Sequence, residues 1–261
     1  MSDPGYTADE IMTVAAARQL KDGLVCFVGI GLPSAAANLA RLSHAPEVVL
    51  IYESGTIATK PDVLPLSIGD GELAETALSV VSVPEMFRYW LQGRRIDVGF
   101  LGAAQIDRFA NINTTVIGDY ARPKTRLPGA GGAPEIATSA KEIFVMLRMS
   151  PRAFVDRLDF VTSLGHGEGG DSRARSGAEG RGPTRVITDL GVLEPDPESR
   201  ELRLTSLHPG ATLEQAQAAC GWKLAAAPGC GVTRAPSEAE LATLRAFKAR
   251  TAAAGAGRPK P

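Results

Sequence analysis

Residues 24–52, LVCFVGIGLPSAAANLARLSHAPEVVLIY, decide the predicted fold of this chain. The first part, Leu24–Ile30, is a short apolar and partly β-branched run, which is typical of a buried strand. After the turn at Gly31–Pro33, the stretch Ser34–Leu42 is rich in Ala and Leu and favours a helix. Glu47–Tyr52 is again a short apolar run and predicts a second buried strand. A strand, a helix and a strand in this order predict a parallel α/β sheet.

The same alternation continues on both sides of this stretch. Thr7 and Glu10 have the spacing of a capping box, which predicts that a helix begins ahead of the first strand. Further apolar runs predict strands at Asp97–Leu101, Ile143–Met149 and Arg185–Thr188, and periodic stretches predict helices at Pro84–Leu91, Leu213–Cys220 and Glu238–Lys248. The chain is therefore predicted to be an α/β protein with an open, mainly parallel sheet and helices on both faces.

Length and composition fit one large domain. The 261 residues are enough to bury a sizeable core, and no composition shift marks an internal boundary, so we expect a single domain over residues 1–251. Residues 252–261 are of low complexity and are predicted to be a flexible tail. The glycine-rich, charged segment 165–182 is predicted to be a mobile surface loop or a lid near a ligand, because it is too poor in apolar residues to join the core.

Charge and cysteine content exclude several classes of protein. A formal net charge of −1 argues against a nucleic-acid binder with a basic surface. No apolar run approaches the roughly 20 residues of a membrane-spanning helix, and the polar, acidic start of the chain does not fit a secretory signal. The 3 cysteines are few and lack metal-ligand spacing, which indicates a reducing compartment and therefore the cytoplasm.

Glu53 is the first candidate functional residue, because it directly follows the second predicted strand in Tyr52-Glu53-Ser54-Gly55. Open α/β folds place their ligands at the carboxyl ends of parallel strands. A carboxylate there is costly to bury without a purpose or a partner. It can serve as a nucleophile, a general base or a metal ligand, and the alternative is a structural role as a cap of the next helix.

Gly29 and Gly31 are a second candidate, at the end of the first predicted strand and the start of the following helix. Glu53 lies 24 residues after Gly29, close to the spacing of the ribose-binding acid in a dinucleotide-binding unit. That pattern is incomplete, since Ser34 stands at the place of its third glycine. The alternative interpretation is that both glycines only permit a tight turn between strand and helix.

The glycine cluster Gly129-Ala130-Gly131-Gly132-Ala133-Pro134 is a third candidate. Clustered glycines allow backbone N–H groups to approach a ligand oxygen, which suits an oxyanion or a phosphate. The alternative is an ordinary flexible turn. His44, His166 and His208 are scattered and lack the spacing of a zinc helix, so no metal site is predicted.

Taken in their order along the chain, these motifs resemble those of the B (β) subunits of class I coenzyme A transferases, and most of all the glutaconate-type B subunits. The resemblance runs from residue 6 to residue 240 and implies a ribose-isomerase/CoA-transferase-like α/β fold. Its blocks are Val28-Gly29-Ile30-Gly31-Leu32-Pro33, Glu53-Ser54-Gly55, Gly102-Ala103-Ala104-Gln105-Ile106-Asp107, Asn111 with Asn113, Ile117-Gly118-Asp119-Tyr120, Pro123-Lys124-Thr125-Arg126, Gly129-Ala130-Gly131-Gly132-Ala133 and Val186-Ile187-Thr188-Asp189.

The resemblance implies covalent catalysis. In this family a glutamate carboxylate attacks the thioester of an acyl-CoA and becomes a glutamyl-CoA thioester, so Glu53 is expected to be the nucleophile. The residues expected to bind the oxyanion or CoA are Gly129, Gly131, Gly132 and Ala133. The residues expected to line the substrate pocket are Gly29, Gly31, Ser54, Gly102, Ala103 and Gln105. The resemblance implies no metal and no permanently bound cofactor, since the coenzyme A thioester is a substrate.

The resemblance also implies a partner, because in this family an A subunit completes the active site. A heterodimer, a heterotetramer or a larger assembly is expected to act on an acyl-CoA and a dicarboxylic or branched acid, with neither nucleic acid nor a membrane as partner. Two alternatives stay open. One is a CoA-thioester hydrolase, a decarboxylase or a ring-cleaving enzyme on the same scaffold, and the other is a non-catalytic module that binds acyl-CoA or a sugar phosphate.

Overall fold

The computed structural model describes residues 5–256, which form two compact units: unit 1 holds residues 5–88 and 235–256, and unit 2 holds residues 89–234. In chain order the elements are α1 (Ala8–Ala17), β1 (Val25–Phe27), α2 (Leu32–Arg41), β2 (Val49–Ile51), β3 (Thr56–Ile57), α3 (Gly71–Glu75), β4 (Ser79–Val80), α4 (Val83–Glu85), a π-helix (Met86–Leu91), β5 (Val98–Leu101), β6 (Gln105–Ile106), β7 (Ile112–Asn113), β8 (Val116–Gly118), β9 (Pro123–Arg126), α5 (Ala133–Ser139), β10 (Glu142–Met146), α6 (Ser172–Arg175), β11 (Pro183–Ile187), β12 (Gly191–Pro195), β13 (Leu202–Leu207), α7 (Leu213–Ala218), β14 (Ala225–Val232) and α8 (Glu238–Ala256). The structure groups the residues into these two units, and the expectation of a single domain over residues 1–251 stays a prediction.

Unit 1 contains the strand, helix and strand predicted from residues 24–52. Strands β1 and β2 pair in parallel, with Phe27 opposite Ile51, and α2 connects them. The chain then reverses, so that β3 pairs antiparallel with β2 and β4 pairs antiparallel with β3. Phe27, Leu50 and Ile51 are buried, as their apolar runs predict. The carboxyl ends of β1 and β2 therefore lie at the same edge of the sheet.

Helix α1 begins where the sequence predicts. The hydroxyl of Thr7 accepts a hydrogen bond from the N–H of Glu10, and the Glu10 carboxylate accepts one from the N–H of Thr7. This capping box satisfies two N–H groups that the first turn of a helix leaves without partners. The helix packs against α2, and its Met12 and Val14 are fully buried. Burial of each such side chain contributes about 1.5–3 kcal/mol.

Helix α8 ties residues 238–256 back to α1. Arg18 forms an ion pair with Glu240 at 2.6 Å, and Arg245 forms one with Glu10 at 2.7 Å. The hydrogen bond from Arg245 lowers the pKa of Glu10 to about 2. The helix ends at Ala256 rather than at the predicted Lys248, because the alanines that follow Lys248 are strong helix formers. The predicted tail is therefore helical to Ala256, and residues 257–261 lie outside the described residues.

The sheet of unit 2 runs in the order β5-β10-β11-β12-β13-β14. Strands β5, β10 and β11 are parallel, β12 joins β11 and β13 by antiparallel pairing, and β14 is parallel to β13. The buried rings of Phe100 and Phe144 meet edge to face at 5.6 Å across the β5–β10 pair. The prediction of an α/β fold with a mainly parallel sheet is confirmed, and antiparallel strands extend that sheet.

Segment 165–182 is bound to unit 2 by a charged side chain. Arg173 is 6% exposed and donates hydrogen bonds to five backbone carbonyls, those of Ala137, Leu164, Gly165, Glu179 and Gly180. His166 is buried as well, with its Nε2 2.8 Å from the carbonyl oxygen of Pro183. The expectation that this segment adds nothing to the interior is wrong, because an arginine can satisfy the carbonyls of a glycine-rich backbone. The mobility of the segment stays a prediction.

Candidate active site

Glu53 stands in a tight turn between β2 and β3. The N–H of Gly55 donates to the carbonyl of Tyr52 at 3.0 Å, and the N–H of Tyr52 donates to the carbonyl of Thr56 at 3.1 Å. Glu53 and Ser54 are therefore the two central residues of a four-residue turn. The backbone of the predicted nucleophile is fixed on both sides by the hairpin that carries it.

Gly55 locks this turn against the segment that follows β4. Its carbonyl accepts a hydrogen bond from the N–H of Val81 at 2.9 Å. Gly55 has a φ of +97°, and a Cβ atom at this position would overlap the carbonyl oxygen of Val81. Only glycine fits a position that combines this backbone conformation with so close an approach of another backbone. The glycine of the Glu53-Ser54-Gly55 motif is thus explained by packing.

The carboxylate of Glu53 is half-buried and makes no hydrogen bond or ion pair within residues 5–256. A helix-capping role, the alternative drawn from the sequence, is therefore not what the described contacts show. The hydroxyl oxygens of Ser54 and Thr56 are buried and have no hydrogen-bond partner in the described part of the chain. Unpartnered polar groups next to a free carboxylate are typical of a functional site rather than of a structural turn.

The side chain of Tyr52, the first residue of the turn, contacts helix α2. Its hydroxyl lies 2.7 Å from the hydroxyl of Ser34, and the Nδ2 of Asn38 in the same helix donates to the carbonyl of Ser34. Burial raises the pKa of Tyr52 to about 12, so the phenol stays neutral and hydrogen-bonded. Ser34 thus has a structural role at the position where a dinucleotide site would have its third glycine.

Gly29 and Gly31 lie at the same sheet edge as Glu53. The N–H of Val28 donates to the carbonyl of Ile51 at 2.8 Å, which extends the pairing of β1 and β2 up to both turns. Gly31 is the N-cap residue of α2 and has a φ of +83°. This conformation accounts for a glycine at the turn without a bound nucleotide. Unit 1 therefore places Gly29, Gly31, Glu53 and Ser54 at one edge of its sheet, and their role in lining a substrate pocket stays a prediction.

In unit 2, Gly102 and Ala103 follow β5 directly, as predicted, and Gly102 is exposed. Gln105 is buried, and its side-chain amide is used by the protein. Its Nε2 donates to Asp159 at 2.8 Å, and its Oε1 accepts from the Nδ2 of Asn113 at 2.6 Å. These contacts position the side chains of Asn113 and Asp159, and the expectation that Gln105 lines a substrate pocket stays a prediction.

The Gly129–Ala133 loop is held by Thr114, the residue that directly follows Asn113 in the chain. The N–H of Gly129 donates to the carbonyl of Thr114 at 2.9 Å, and the hydroxyl of Thr114 donates to the carbonyl of Gly129 at 2.8 Å. The N–H of Thr114 in turn donates to the hydroxyl of Thr162 at 2.9 Å. Thr114 and Thr162 could not be found from the sequence, because nothing in it pairs residue 114 with residues 129 and 162.

The four predicted donors of this loop do not behave alike. The N–H of Gly129 is bonded to Thr114, and the N–H of Ala133 donates to the carbonyl of Ala130 at 3.0 Å. The N–H groups of Gly131 and Gly132 have no acceptor among the described residues. The loop therefore leaves two of the predicted donors for a ligand oxygen and uses the other two to hold its own shape.

No group of His, Cys, Asp and Glu side chains within residues 5–256 is arranged to hold a metal ion. No disulfide joins Cys26, Cys220 and Cys230. No helix in this part of the chain is long and apolar enough to cross a membrane.

A family model described as coenzyme A transferase matches residues 9–219. The chain belongs to this family. The matched region includes the Glu53 turn, the Gly129–Ala133 loop and every motif that resembles those of the coenzyme A transferases, from Val28 to Asp189.

Known proteins similar to this transferase chain support the same conclusion. It is 66% identical over 249 residues to the B subunit of the 3-oxoadipate CoA-transferase of Pseudomonas knackmussii, covering 95% of this chain and 96% of that protein. The crystal structure of glutaconate coenzyme A-transferase from Acidaminococcus fermentans matches with a TM-score of 0.86, 34% identity and coverage of 92% and 94%. The crystal structure of the decarboxylase AibA/AibB matches with a TM-score of 0.81, 25% identity and coverage of 94% and 95%.

The prediction of a CoA-transferase B subunit is thus confirmed, and the chain is an enzyme subunit that acts on coenzyme A thioesters. The sequence identity is 66% to the B subunit of the 3-oxoadipate enzyme and 37% to the B subunit of the glutaconate CoA-transferase of Acidaminococcus fermentans. The non-catalytic binding module that the sequence left open is not supported by these similarities.

Proposed function

We propose that this chain, together with an A subunit, moves CoA between an acyl-CoA and 3-oxoadipate or a closely similar dicarboxylate. The observation that carries this proposal is Glu53, a half-buried carboxylate without a partner among the described residues, held at the centre of a fixed turn. The substrate class rests on the 66% identity to the B subunit of a 3-oxoadipate CoA-transferase. The A subunit supplies the rest of the pocket.

The proposed reaction has two halves and uses no metal. The Glu53 carboxylate attacks the thioester carbonyl of the acyl-CoA, and the C–S bond breaks to give an acyl–glutamyl anhydride and CoA thiolate. The thiolate then attacks the glutamyl carbonyl of the anhydride, forms a glutamyl-CoA thioester and releases the first acid as its carboxylate. The second carboxylate attacks this thioester and repeats the two steps in reverse, which regenerates Glu53 and forms the new acyl-CoA.

A carboxylate is a poor nucleophile in water, so its surroundings must supply alignment and exclude solvent. The Tyr52–Gly55 turn supplies alignment, because its hydrogen bonds and the close packing at Gly55 hold the backbone on both sides of Glu53. The N–H groups of Gly131 and Gly132 are the donors proposed to stabilise the oxyanion of each tetrahedral intermediate. Removal of one such donor typically lowers the rate by about 10²–10³-fold.

The remaining parts of the proposal concern the working state of the protein. The coenzyme A thioester binds as a substrate and leaves as a product, and we propose that the protein holds no permanently bound cofactor. The few cysteines and their lack of metal spacing support a cytoplasmic location. The working assembly contains both kinds of subunit.

The test is the exchange of CoA between 3-oxoadipyl-CoA and a second dicarboxylate by the complex of both subunits. E53Q is expected to lower the exchange rate by at least about 10³-fold, because the amide is not a nucleophile. E53D keeps a carboxylate but withdraws it by one methylene, and a loss of about 10²-fold is expected. E75Q, which changes an exposed glutamate in the same unit, is the matched control and should leave the rate unchanged.

Near-normal exchange by E53Q would contradict the proposal. A separate assay of CoA release distinguishes transfer from the alternatives that share the scaffold. Formation of the CoA ester of the acceptor acid without free CoA supports transfer, whereas release of free CoA in the absence of an acceptor identifies a hydrolase. Loss of CO₂ from the acyl group identifies a decarboxylase.

A further inference from the structure

Segment 165–182 and the strands β11 and β12 form the walls of a cavity in unit 2. We name it the 166–200 cavity, after the first and the last residue of its lining. Its volume is about 770 Å³, and small-molecule sites in proteins measure roughly 300–1,000 Å³. The lining includes His166, Arg173, Glu198 and Arg200, so the cavity is polar and charged.

The cavity lies at the edge of the unit 2 sheet opposite to the predicted pocket residues Gly102 and Ala103. These two residues follow the carboxyl end of β5, and the strands β5, β10 and β11 are parallel. Among the cavity residues, Arg181 precedes β11 and Thr184 is the second residue of that strand. Because parallel strands begin at the same edge of a sheet, a ligand in the cavity would not occupy the predicted substrate pocket of this unit.

The buried side chain of His166 has one polar atom without a partner. His166 is 3% exposed, its backbone N–H donates to the carbonyl of Phe109, and its Nε2 lies 2.8 Å from the carbonyl oxygen of Pro183. A carbonyl only accepts, so Nε2 carries the proton and Nδ1 of the neutral ring is an acceptor. Burial lowers the pKa of His166, and the charges of Arg173 and Arg200 lower it further. Within residues 5–256, nothing donates a hydrogen bond to this Nδ1.

Two arginines in the wall of the cavity have no carboxylate partner. Arg173 directs its hydrogen bonds to backbone carbonyls, so no carboxylate neutralises its buried charge within the described part of the chain. Arg200 forms neither an ion pair nor a side-chain hydrogen bond with any residue that the structure describes. In contrast, Arg181 and Arg185 are both paired with Glu142. The two unpaired cations favour an anionic ligand.

The cavity also has a carboxylate that is free to accept hydrogen bonds. Glu198 is exposed, and its side chain has no partner between residues 5 and 256. The other carboxylates of the wall are each paired with an arginine. Glu198 together with Arg173 and Arg200 leaves one net positive charge, which matches a ligand with a single negative charge and disfavours an ammonium group. A neutral hydroxyl group is the donor that suits both Glu198 and Nδ1 of His166.

From the unpartnered Nδ1, the two unpaired arginines and the volume of the cavity, we infer that the 166–200 cavity binds a polyhydroxylated monocarboxylic acid, such as a six-carbon sugar acid. The carboxylate of the ligand pairs with the guanidinium of Arg200, where the charge of Arg173 also attracts it. Hydroxyl groups of the ligand donate to Nδ1 of His166 and to Glu198. The inference concerns a second ligand of the chain and does not depend on the proposed function.

Isothermal titration calorimetry on the complex of both subunits tests the ligand with three six-carbon probes. D-Gluconate has the carboxylate and the hydroxyl groups, hexanoate has the carboxylate alone, and sorbitol has the hydroxyl groups alone. The Kd of gluconate is expected to be lower than that of either other probe by about tenfold or more, because each of them lacks one kind of contact. Equal affinity for gluconate and hexanoate, or no binding of gluconate at millimolar concentrations, would overturn the inference.

Two positions in the cavity test the contacts separately. R200A is expected to raise the Kd of gluconate by about tenfold, and R200K should recover part of the loss because it keeps the charge. H166F removes Nδ1, so gluconate should bind it no better than hexanoate does, and binding of hexanoate reports that the cavity is intact. R152A, which removes another exposed arginine of unit 2, is the matched control and should bind gluconate normally. Normal gluconate binding by R200A would contradict the inference.

Competition distinguishes the cavity from the site of Glu53. E53Q should bind gluconate with an unchanged Kd, and 3-oxoadipate should not displace gluconate. R200A should exchange CoA at the normal rate, so its effect is separate from a failure of the proposed function. Displacement of gluconate by 3-oxoadipate, or loss of gluconate binding in E53Q, would place gluconate at the proposed catalytic site and refute the inference. Weaker assembly of R200A with the A subunit at unchanged gluconate affinity would refute it as well, by assigning Arg200 to the subunit interface.

Discussion

Two glycine-containing turns carry the proposed chemistry, and they are held in different ways. The Tyr52–Gly55 turn in unit 1 is locked by the hydrogen bonds of its own hairpin and by the backbone at Val81, and the Tyr52 hydroxyl adds a contact with Ser34. The Gly129–Ala133 loop in unit 2 is fastened at Gly129 by Thr114, while Gly131 has open space around it. A nucleophile needs one fixed position, whereas backbone donors need room for a ligand. The two turns meet these different needs.

Breaking the first turn is expected to have the largest effect. In G55A the added methyl overlaps the carbonyl oxygen of Val81 and the backbone must keep a φ of +97°, so both the packing and the conformation are lost. We expect the free energy of unfolding to fall by more than about 3 kcal/mol. Urea unfolding of the full chain measures this, and a loss below about 1 kcal/mol would show that the turn adapts easily.

The matched change in the second turn should be milder for stability. In G131A the methyl enters open space, and the cost is that of an alanine at a φ of +49°, about 1–2 kcal/mol. Exchange activity should fall while the KM for the acyl-CoA changes little, if the N–H of residue 131 serves the oxyanion. A loss of stability as large as that of G55A would remove the distinction between the two turns.

The smallest effect on stability is expected at the threonine that fastens the loop. T114V removes the hydrogen bond to the carbonyl of Gly129 and should cost about 1 kcal/mol in the free energy of unfolding. If Thr114 positions the loop, kcat should fall by about tenfold with little change in KM. T114S retains the hydroxyl and should restore kcat. Failure of T114S to restore kcat would assign Thr114 to packing alone.

The same contrast between the two turns explains what could be predicted from the sequence. The position of Glu53 follows from local patterns, because an apolar run, a charged residue and a glycine fall within a few residues of one another. The hydrogen bonds of Thr114 to Gly129 and of Gln105 to Asn113 and Asp159 join residues that are distant in sequence. No periodicity or motif encodes such pairs. The fold was therefore predictable, whereas the division of the loop into bound and free donors was not.

The glycine-rich composition of segment 165–182 also gave a wrong prediction, namely that the segment contributes nothing to the interior. The segment is rich in glycine like the Gly129–Ala133 loop, but Arg173 donates hydrogen bonds to its backbone carbonyls and to that of Ala137. The burial of Arg173 lowers the pKa of its guanidinium to about 10. Glycine content alone does not tell whether a backbone is free for a ligand or bound by the protein. The difference lies in one buried side chain and in which backbone groups it can reach.

The central claim is that Glu53 carries CoA as a thioester between the two halves of the reaction, and borohydride reduction tests it most directly. The complex of both subunits is incubated with 3-oxoadipyl-CoA without an acceptor, treated with borohydride and digested for peptide mass analysis. The account predicts that Glu53 is converted to the corresponding alcohol, that E53Q is unmodified, and that an excess of the acceptor acid lowers the extent of the change. Full exchange activity without any modification at Glu53 would contradict the account.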